Sequence, residues 1–249
     1  MKFLPSKGDR AAFGEIAEEY DLVYFGRVDP REDIDYIQVG GLTVGPHIID
    51  ENYTTGNVYD YEVEFLQRSR KVQQGANGQE TAATRWTVLQ NTVKKTLKKS
   101  DLANIKTRKR TILQVKLQQA QLPHIFVCGR SRLTDWTTLL SLAERWQEIG
   151  WQSLPASQQT SFPQTFATFI PTVHIAWLPY VLTPETQVML QTHFAQFDFE
   201  IFDGNLLVYT MNEKIDLEVL DHMLRVGLWW ARSLDVMFAQ VTANQTQQV

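Results

Sequence analysis

Apolar and polar residues alternate along several short stretches of the chain, and this pattern predicts β-strands. Between residues 58 and 66, Tyr, Val and Phe alternate with Asp and Glu, the two-residue period of a half-buried strand. Other short apolar runs predict strands at 34–39, 42–44, 86–93, 111–117, 122–128, 199–202 and 206–209. Stretches rich in Gly, Asn and Thr at 40–41, 54–57 and 203–205 predict turns between strands.

A spacing of three or four residues between apolar positions predicts three helices, and a capping residue followed by proline and an acid predicts a fourth. Two of them cover 9–20 and 135–149, and the other two begin at 184 and 217. A short polar residue that accepts hydrogen bonds stands at the start of each pattern, and such a side chain caps the first helical turn. The four expected capping residues are Asp9, Thr134, Thr183 and Asp216.

The predicted elements indicate an α+β fold. Strands and helices are mixed without a run of regular βαβ units, so we expect a strand-rich N-terminal half and a C-terminal half with helices packed on a mixed or antiparallel sheet. The chain is long enough to form one domain over 1–249, with a subdivision into 1–130 and 131–241 as a variant of this prediction. The polar residues 242–249 are expected to fray.

The composition favours a soluble, cytoplasmic protein. Cys128 is the single cysteine, so no disulfide within the chain can form and nothing points to an oxidising compartment. Lys7, Asp9 and Arg10 interrupt the apolar run that a signal peptide would need. Residues 149–184 contain no Asp, Glu, Lys or Arg, but their prolines disfavour a transmembrane helix, and we expect extended chain there.

Charge is distributed unevenly, although the formal net charge is only −4. Residues 1–66 contain 5 basic and 14 acidic residues, residues 67–116 contain 13 and 2, and residues 117–249 contain 6 and 12. Most of the positive charge lies in one predicted connection between strands, called the basic segment below. Its cations are Lys94, Lys95, Lys98, Lys99, Lys106, Arg108, Lys109 and Arg110.

The basic segment has three interpretations. Its cations could bind phosphate groups of a nucleic acid or another polyanion, with an affinity that falls as salt rises. They could also bind an anionic membrane surface, at about 1 kcal/mol per cation. The simplest interpretation is a solvated loop whose charge offsets the acidic remainder, residues 1–66 above all. No aromatic residue lies between Trp86 and Phe126, so the stacking platforms of a single-strand reader are missing.

The sequence contains little that points to catalysis. Motifs for phosphate loops, dinucleotide-binding turns, zinc-binding helices and nucleophile elbows are absent. His124 lies four residues before Cys128, about 13 Å along a strand, which is too far to share a metal ion. Asp60, Glu62 and Glu64 share one predicted strand face and are expected to form its solvated side. We therefore expect no catalytic residue, no cofactor and no metal.

The adjacent residues Trp229 and Trp230 cannot face the same side of a helix. Trp230 lies near the apolar stripe of the predicted last helix, whereas Trp229 lies off it. An off-stripe tryptophan either packs under a neighbouring element or marks a contact with a partner. Trp229 is therefore a candidate partner contact.

Several motifs, in this order, resemble an uncharacterised bacterial family of soluble domains that often follow transmembrane helices. The likeness covers about residues 55–240. It rests on the strand Tyr59-Asp60-Tyr61-Glu62-Val63, the run Leu122-Pro123-His124-Ile125-Phe126, the helix start Leu182-Thr183-Pro184, the hairpin Asp203-Gly204-Asn205 and the long last helix. The resemblance implies a soluble α+β domain in a membrane-linked setting, without known catalytic residues. This chain departs from the family in lacking the membrane helices and in carrying the basic segment.

These observations predict a non-catalytic binding or accessory domain, cytoplasmic or associated with a membrane, with a protein partner. The alternative is a polyanion-binding protein that uses the basic segment, with a nucleic acid or an anionic membrane surface as partner. An enzyme with an unrecognised cleft is a minor alternative.

Overall fold

A single antiparallel sheet organises the molecule, so the predicted α+β class is confirmed. The structure, a computed structural model, describes residues 7–28, 48–70, 109–118, 122–133, 136, 146–149, 161–212 and 214–246. The predicted strands at 34–39, 42–44 and 86–93 lie outside these residues. No helix in this described part is long and apolar enough to cross a membrane.

The described residues contribute nine strands to the sheet, and every neighbouring pair is antiparallel. Their order across the sheet is β1-β2-β3-β4-β9-β8-β5-β7-β6. The strands are β1 Val23–Val28, β2 Ile48–Val58, β3 Tyr61–Arg70, β4 Arg110–Lys116, β5 Ile125–Gly129, β6 Trp146–Glu148, β7 Phe166–Pro171, β8 Asp198–Phe202 and β9 Asn205–Thr210.

Helices flank the sheet, and the described α-helices are numbered here in chain order. They are α1 Lys7–Glu19, α2 Phe162–Thr165, α3 Leu178–Val181, α4 Pro184–His193 and α5 Leu217–Thr246. Two 3₁₀ helices cover Arg130–Arg132 and Thr172–Trp177.

The two faces of the sheet have different cores. On the helix face, α1 and α5 cover alternate strand residues such as Phe65, Leu113 and Val208. Gly227 brings α5 close to β4, because a Cβ atom there would lie 2.7 Å from Cδ2 of Leu113. The intervening strand residues point to the second face, where Trp136 completes a smaller cluster. That cluster consists of Leu66, Ile112, Phe126, Cys128, Trp136, Ala167, Leu207 and Tyr209.

Local sequence signals correctly located several element boundaries. The turn between β8 and β9 falls on Asp203 and Gly204, whose φ angles of 48° and 73° match the left-handed turn that such residues favour. The Thr183 hydroxyl accepts a hydrogen bond from the Thr186 amide at 3.2 Å and caps α4. The Asp216 carboxylate accepts one from the Val219 amide at 3.0 Å and caps α5.

The predicted turn at 54–57 is wrong, because these residues lie inside β2. The chain turns instead at Tyr59 and Asp60, and Tyr59 is exposed with a φ angle of 54°. The strand predicted over 58–66 is thus the end of β2, a turn and the first part of β3. Gly56 has a packing role, since a Cβ atom there would lie 2.8 Å from Cδ2 of Leu22.

Three helical predictions also need correction. Residues Trp146–Glu148, predicted as the end of a helix, form the edge strand β6 and pair with β7. Asp9 does not precede α1 but lies in its first turn, where its buried carboxylate bonds to Lys109 and Gln67. The last helix continues to Thr246, into the predicted frayed tail.

Extended chain is expected over 149–184, and among the described residues of this stretch the expectation holds for β7. Its described remainder contains α2, the 3₁₀ helix Thr172–Trp177 and α3. Proline stands in the first turn of both α-helices, where its missing N–H has no intrahelical partner to lose.

Candidate functional site

Two of the eight cations of the basic segment are described, and both contact their own chain. Nζ of Lys109 lies 2.7 Å from the buried carboxylate of Asp9 in α1. The Arg110 guanidinium lies 4.3 Å from the centre of the Trp136 ring. The other six, Lys94, Lys95, Lys98, Lys99, Lys106 and Arg108, lie outside the described residues.

Trp229 is half-buried and packs against the core of the helix face. Its ring stacks on Phe194, with 6.4 Å between the ring centres and 28° between the planes. Trp230, its neighbour, is fully buried as the apolar stripe predicted. Trp229 thus packs beside Phe194, the residue that follows α4, and its predicted role as a partner contact stays a prediction.

The second face carries buried carboxylates, which makes it the first place to look for chemistry. Asp198, at the start of β8, accepts hydrogen bonds from the Arg132 guanidinium at 2.7 Å and the Trp136 indole at 2.8 Å. The Gly129 amide donates to the same carboxylate at 2.8 Å. A carboxylate held by three donors is fixed in place and compensated in charge.

Glu200 lies two residues further along β8 and is fully buried. One oxygen lies 2.6 Å from Nε2 of His124, and the other accepts a short hydrogen bond from the Tyr209 hydroxyl. Burial raises the pKa of Tyr209 well above its usual value, and the Glu200 carboxylate raises it further. The phenol therefore stays protonated and acts as a donor to Glu200.

Asp50 and Arg68 form a third buried pair, on β2 and β3. The guanidinium donates twice to the carboxylate, at 2.7 and 2.8 Å. Asp50, Asp198 and Glu200 thus each have a defined partner within the chain, as buried acids require. Sequence reasoning missed Asp198 and Glu200 as buried groups because their carboxylates alternate with apolar residues as solvated ones do.

The single cysteine has no features of a nucleophile. Cys128 is fully buried in β5, and burial together with the nearby Asp198 raises the pKa of its thiol far above the usual range. Within the described part of the chain, no group of three or more His, Cys, Asp or Glu side chains could hold a metal ion.

Glu64 in β3 differs from the other buried carboxylates. It is only 5% exposed, so its predicted place on a solvated strand face is wrong, although its neighbour Glu62 is indeed partly exposed. Burial raises the pKa of Glu64 to about 7, and a hydrogen bond from Tyr53 opposes this rise. Among the described residues, none donates a hydrogen bond to its Oε2 atom.

A projecting apolar surface lies on the 3₁₀ helix Thr172–Trp177, none of whose residues is buried. Val173 is 84% exposed and Ile175 is 36% exposed, and Tyr180 on α3 is exposed beyond them. We call Val173, Ile175 and Tyr180 the apolar ridge. Because residues three apart align in a 3₁₀ helix, the half-buried His174 and Trp177 mark its inner side.

The residues beside the ridge pack into the core. Trp177 stacks on Phe238 of α5, with 5.1 Å between ring centres and 14° between planes. Leu178, Val181 and Leu182 follow directly and are buried in the core. The ridge thus stands next to packed core residues. The long uncharged stretch that contains it marks the region as apolar in the sequence, but not as exposed.

Comparisons with known proteins support the fold and little else. No protein-family model matches the chain, and no curated protein matches it. Among solved structures, the chain is similar to the mycobacterial trehalose monomycolate transport factor A, TtfA, with a TM-score of 0.54 and 10% sequence identity. The similarity covers 93% of this chain and 95% of that one. At this identity the two proteins share an overall fold, and the likeness extends no further.

Proposed function

We propose that this protein is a non-catalytic accessory domain that binds a protein partner through the apolar ridge. The observation that carries the proposal is the exposure of three apolar side chains. Val173 and Ile175 lie on a short helix without a single buried residue, and Tyr180 lies on the adjoining α3. Exposed apolar side chains close together along the chain are typical of a binding surface. Burying them against a partner would contribute about 25 cal/mol for each Å² of apolar area.

The charge around the ridge favours a protein over a lipid surface. Residues 149–184 contain no charged side chain, and the centre of a protein interface is depleted of charge in the same way. Residues 117–249 carry 6 basic and 12 acidic residues, so an anionic membrane surface would repel this half of the chain.

The buried acids support the non-catalytic part of the proposal. General acid–base chemistry needs a group that can reach a substrate proton, whereas Asp198 and Glu200 are fully buried and already hydrogen-bonded. The raised pKa of the Cys128 thiol disfavours nucleophilic catalysis.

The setting of the protein belongs to the same proposal. The structurally similar TtfA is named a transport factor, and an accessory role within a larger assembly would suit this chain as well. A cytoplasmic location, with membrane association through the partner, agrees with the single buried cysteine.

Site-specific crosslinking tests the proposal. A photoreactive amino acid at position 173, in cells of the source organism, should form adducts with one protein, which is then identified and purified. Val173→Asp should weaken the affinity of this purified protein at least tenfold in calorimetry, because a carboxylate would be desolvated at the centre of the interface.

Val188→Asp is the matched control, since Val188 is an exposed valine outside the apolar ridge, on α4. This variant should change the affinity less than twofold. Equal losses in both variants, or adducts at position 173 only with lipid or with a second copy of the chain, would contradict the proposal.

Polyanion binding by the basic segment stays a prediction. Lys109 and Arg110 contact their own chain, which leaves six cations to carry it. Binding of the purified protein to DNA, RNA and anionic vesicles across a salt series tests it. Affinity that is absent at low salt, or that survives neutralising Lys94, Lys95, Lys98 and Lys99, would exclude it.

A further inference from the structure

Exposed apolar side chains of β1, at one edge of the second face, are connected to the buried Glu64 by a ring contact and a hydrogen bond. Val23 and Phe25 are 55% and 57% exposed. The Phe25 ring lies 5.8 Å from the ring of Tyr53, which is half-buried in β2. Tyr53 in turn is hydrogen-bonded to the carboxyl group of Glu64 in β3. Surface and buried acid are therefore connected through one tyrosine.

Glu64 lacks what the other buried acids have. Asp50 pairs with an arginine, and Glu200 with a histidine and a tyrosine. For Oε2 of Glu64, the described residues supply no donor. A buried polar atom without a hydrogen bond is unfavourable, and a ligand that brings a donor would remove this penalty.

The charged side chains beside Glu64 favour a cationic donor. Glu62 lies on the same face as Glu64, and its side chain is 43% exposed. The nearby Lys116 holds Glu62 at 2.7 Å rather than Glu64. An incoming ammonium or guanidinium group would thus be attracted to a buried carboxyl group that Lys116 does not pair with.

We propose that Val23, Phe25, Tyr53 and Glu64 form a second docking surface, for a partner segment in which a Lys or Arg side chain adjoins an apolar one. The apolar side chain packs on Val23 and Phe25, and the cation donates to Oε2 of Glu64, beside the oxygen that Tyr53 holds. A cation bound there would also be attracted to the face of the Tyr53 ring, if it lay within about 6 Å of the ring centre. This surface is separate from the apolar ridge and does not depend on it.

Two short peptides test this inference on the full chain. The probes are acetylated, amidated Leu-Arg-Leu and Leu-Gln-Leu, titrated into ¹⁵N-labelled protein at pH 8, where Glu64 is largely ionised. We expect the Arg peptide to bind with a Kd of about 1 mM or below and to shift amide resonances in β1–β3. The Gln peptide should bind at least fivefold more weakly.

Variants then locate the contact. Glu64→Gln should weaken the Arg peptide about tenfold, and it should fold, because it removes a buried charge. Phe25→Ser should weaken both peptides. The matched control Glu62→Gln removes an equal charge from the same face and should change affinity less than twofold. Val173→Asp should change nothing, which separates this surface from the apolar ridge.

Three results would overturn the inference. One is equal binding of both peptides, and another is an equal loss in Glu62→Gln and Glu64→Gln, which would indicate general charge attraction. The third is a change from dimer to monomer in Phe25→Ser by sedimentation, which would make the surface a contact between two copies of this chain.

Discussion

The two halves of the second face differ in how completely their buried carboxylates are hydrogen-bonded. Around β8, Asp198 and Glu200 have donors for both oxygens of each carboxylate. In β3, Glu64 has one donor, Tyr53, and its other oxygen has none among the described residues. The comparison indicates that the acids of β8 stabilise the fold, whereas Glu64 destabilises it when ionised and is the better candidate for a ligand.

Asp198→Ala should have the largest effect on this comparison. It leaves the Arg132 guanidinium and the Trp136 indole without their shared acceptor in a largely buried place. We expect a loss of about 3–5 kcal/mol in the free energy of unfolding, measured by urea denaturation. A loss below about 1 kcal/mol would show that the acids of β8 contribute no more than surface pairs.

Glu64→Gln should act in the opposite direction. Because the folded-state pKa is about 7 against an ordinary 4.5, the folded protein binds more protons than the unfolded chain between these pH values. The contribution of Glu64 to stability is therefore fully present below pH 4.5 and is lost as the pH rises to about 7, by about 3 kcal/mol. Glu64→Gln should remove this loss.

The measurement is the unfolding free energy of wild type and variant at pH 4.5, 6 and 8. We expect the unfolding free energy of Glu64→Gln to rise relative to that of the wild type as the pH rises. Glu62→Gln should show no such rise. Parallel pH profiles for wild type and Glu64→Gln would place the carboxyl group in a solvated environment and remove the contrast with β8.

Tyr209→Phe should have a smaller effect than either. It removes only the hydroxyl that donates to Glu200, while His124 continues to hold the other oxygen. We expect a loss of about 1–2 kcal/mol in thermal or urea unfolding, since one buried acceptor loses its partner. An unchanged stability would mean that His124 alone compensates Glu200.

Glu148→Ala should have the smallest effect. Its partner Arg130 lies 2.6 Å away, but both side chains are more than one-third exposed. An exposed pair of this kind contributes about 0–1 kcal/mol, so we expect a change within that range. It serves as the surface reference for Asp198→Ala under identical urea conditions.

Local sequence signals correctly predicted a turn and a helix cap of this fold. They failed at positions whose structure depends on packing against distant residues. The turn at Asp203 and Gly204 and the cap at Thr183 follow from conformational preference and from hydrogen bonds within three residues. Gly56 misled the prediction, because glycine serves there to admit Leu22 rather than to turn the chain. The strand Trp146–Glu148 depends on pairing with β7, a partner more than twenty residues away.

The candidate sites were harder to predict than the fold. Alternation in β3 correctly placed Glu62 and Glu64 on one face, but it cannot show that Tyr53 covers only the second of them. The apolar ridge was hidden because exposure is not a property of composition. Val173 and Ile175 have the same sequence signature as core residues, and only tertiary contacts show that no buried residue lies among them.

The pairing of β4 with β9 has a consequence for how the chain folds. Thr111 faces Thr210, so this central pair of strands closes a loop of almost one hundred residues. The hairpins β2–β3 and β8–β9 involve only local contacts and can form early. We expect the joining of β4 to β9 to be the slow step, because loop-closure entropy is lost before the sheet is continuous. Until then the polar edges of both strands remain open to pairing with another chain during synthesis.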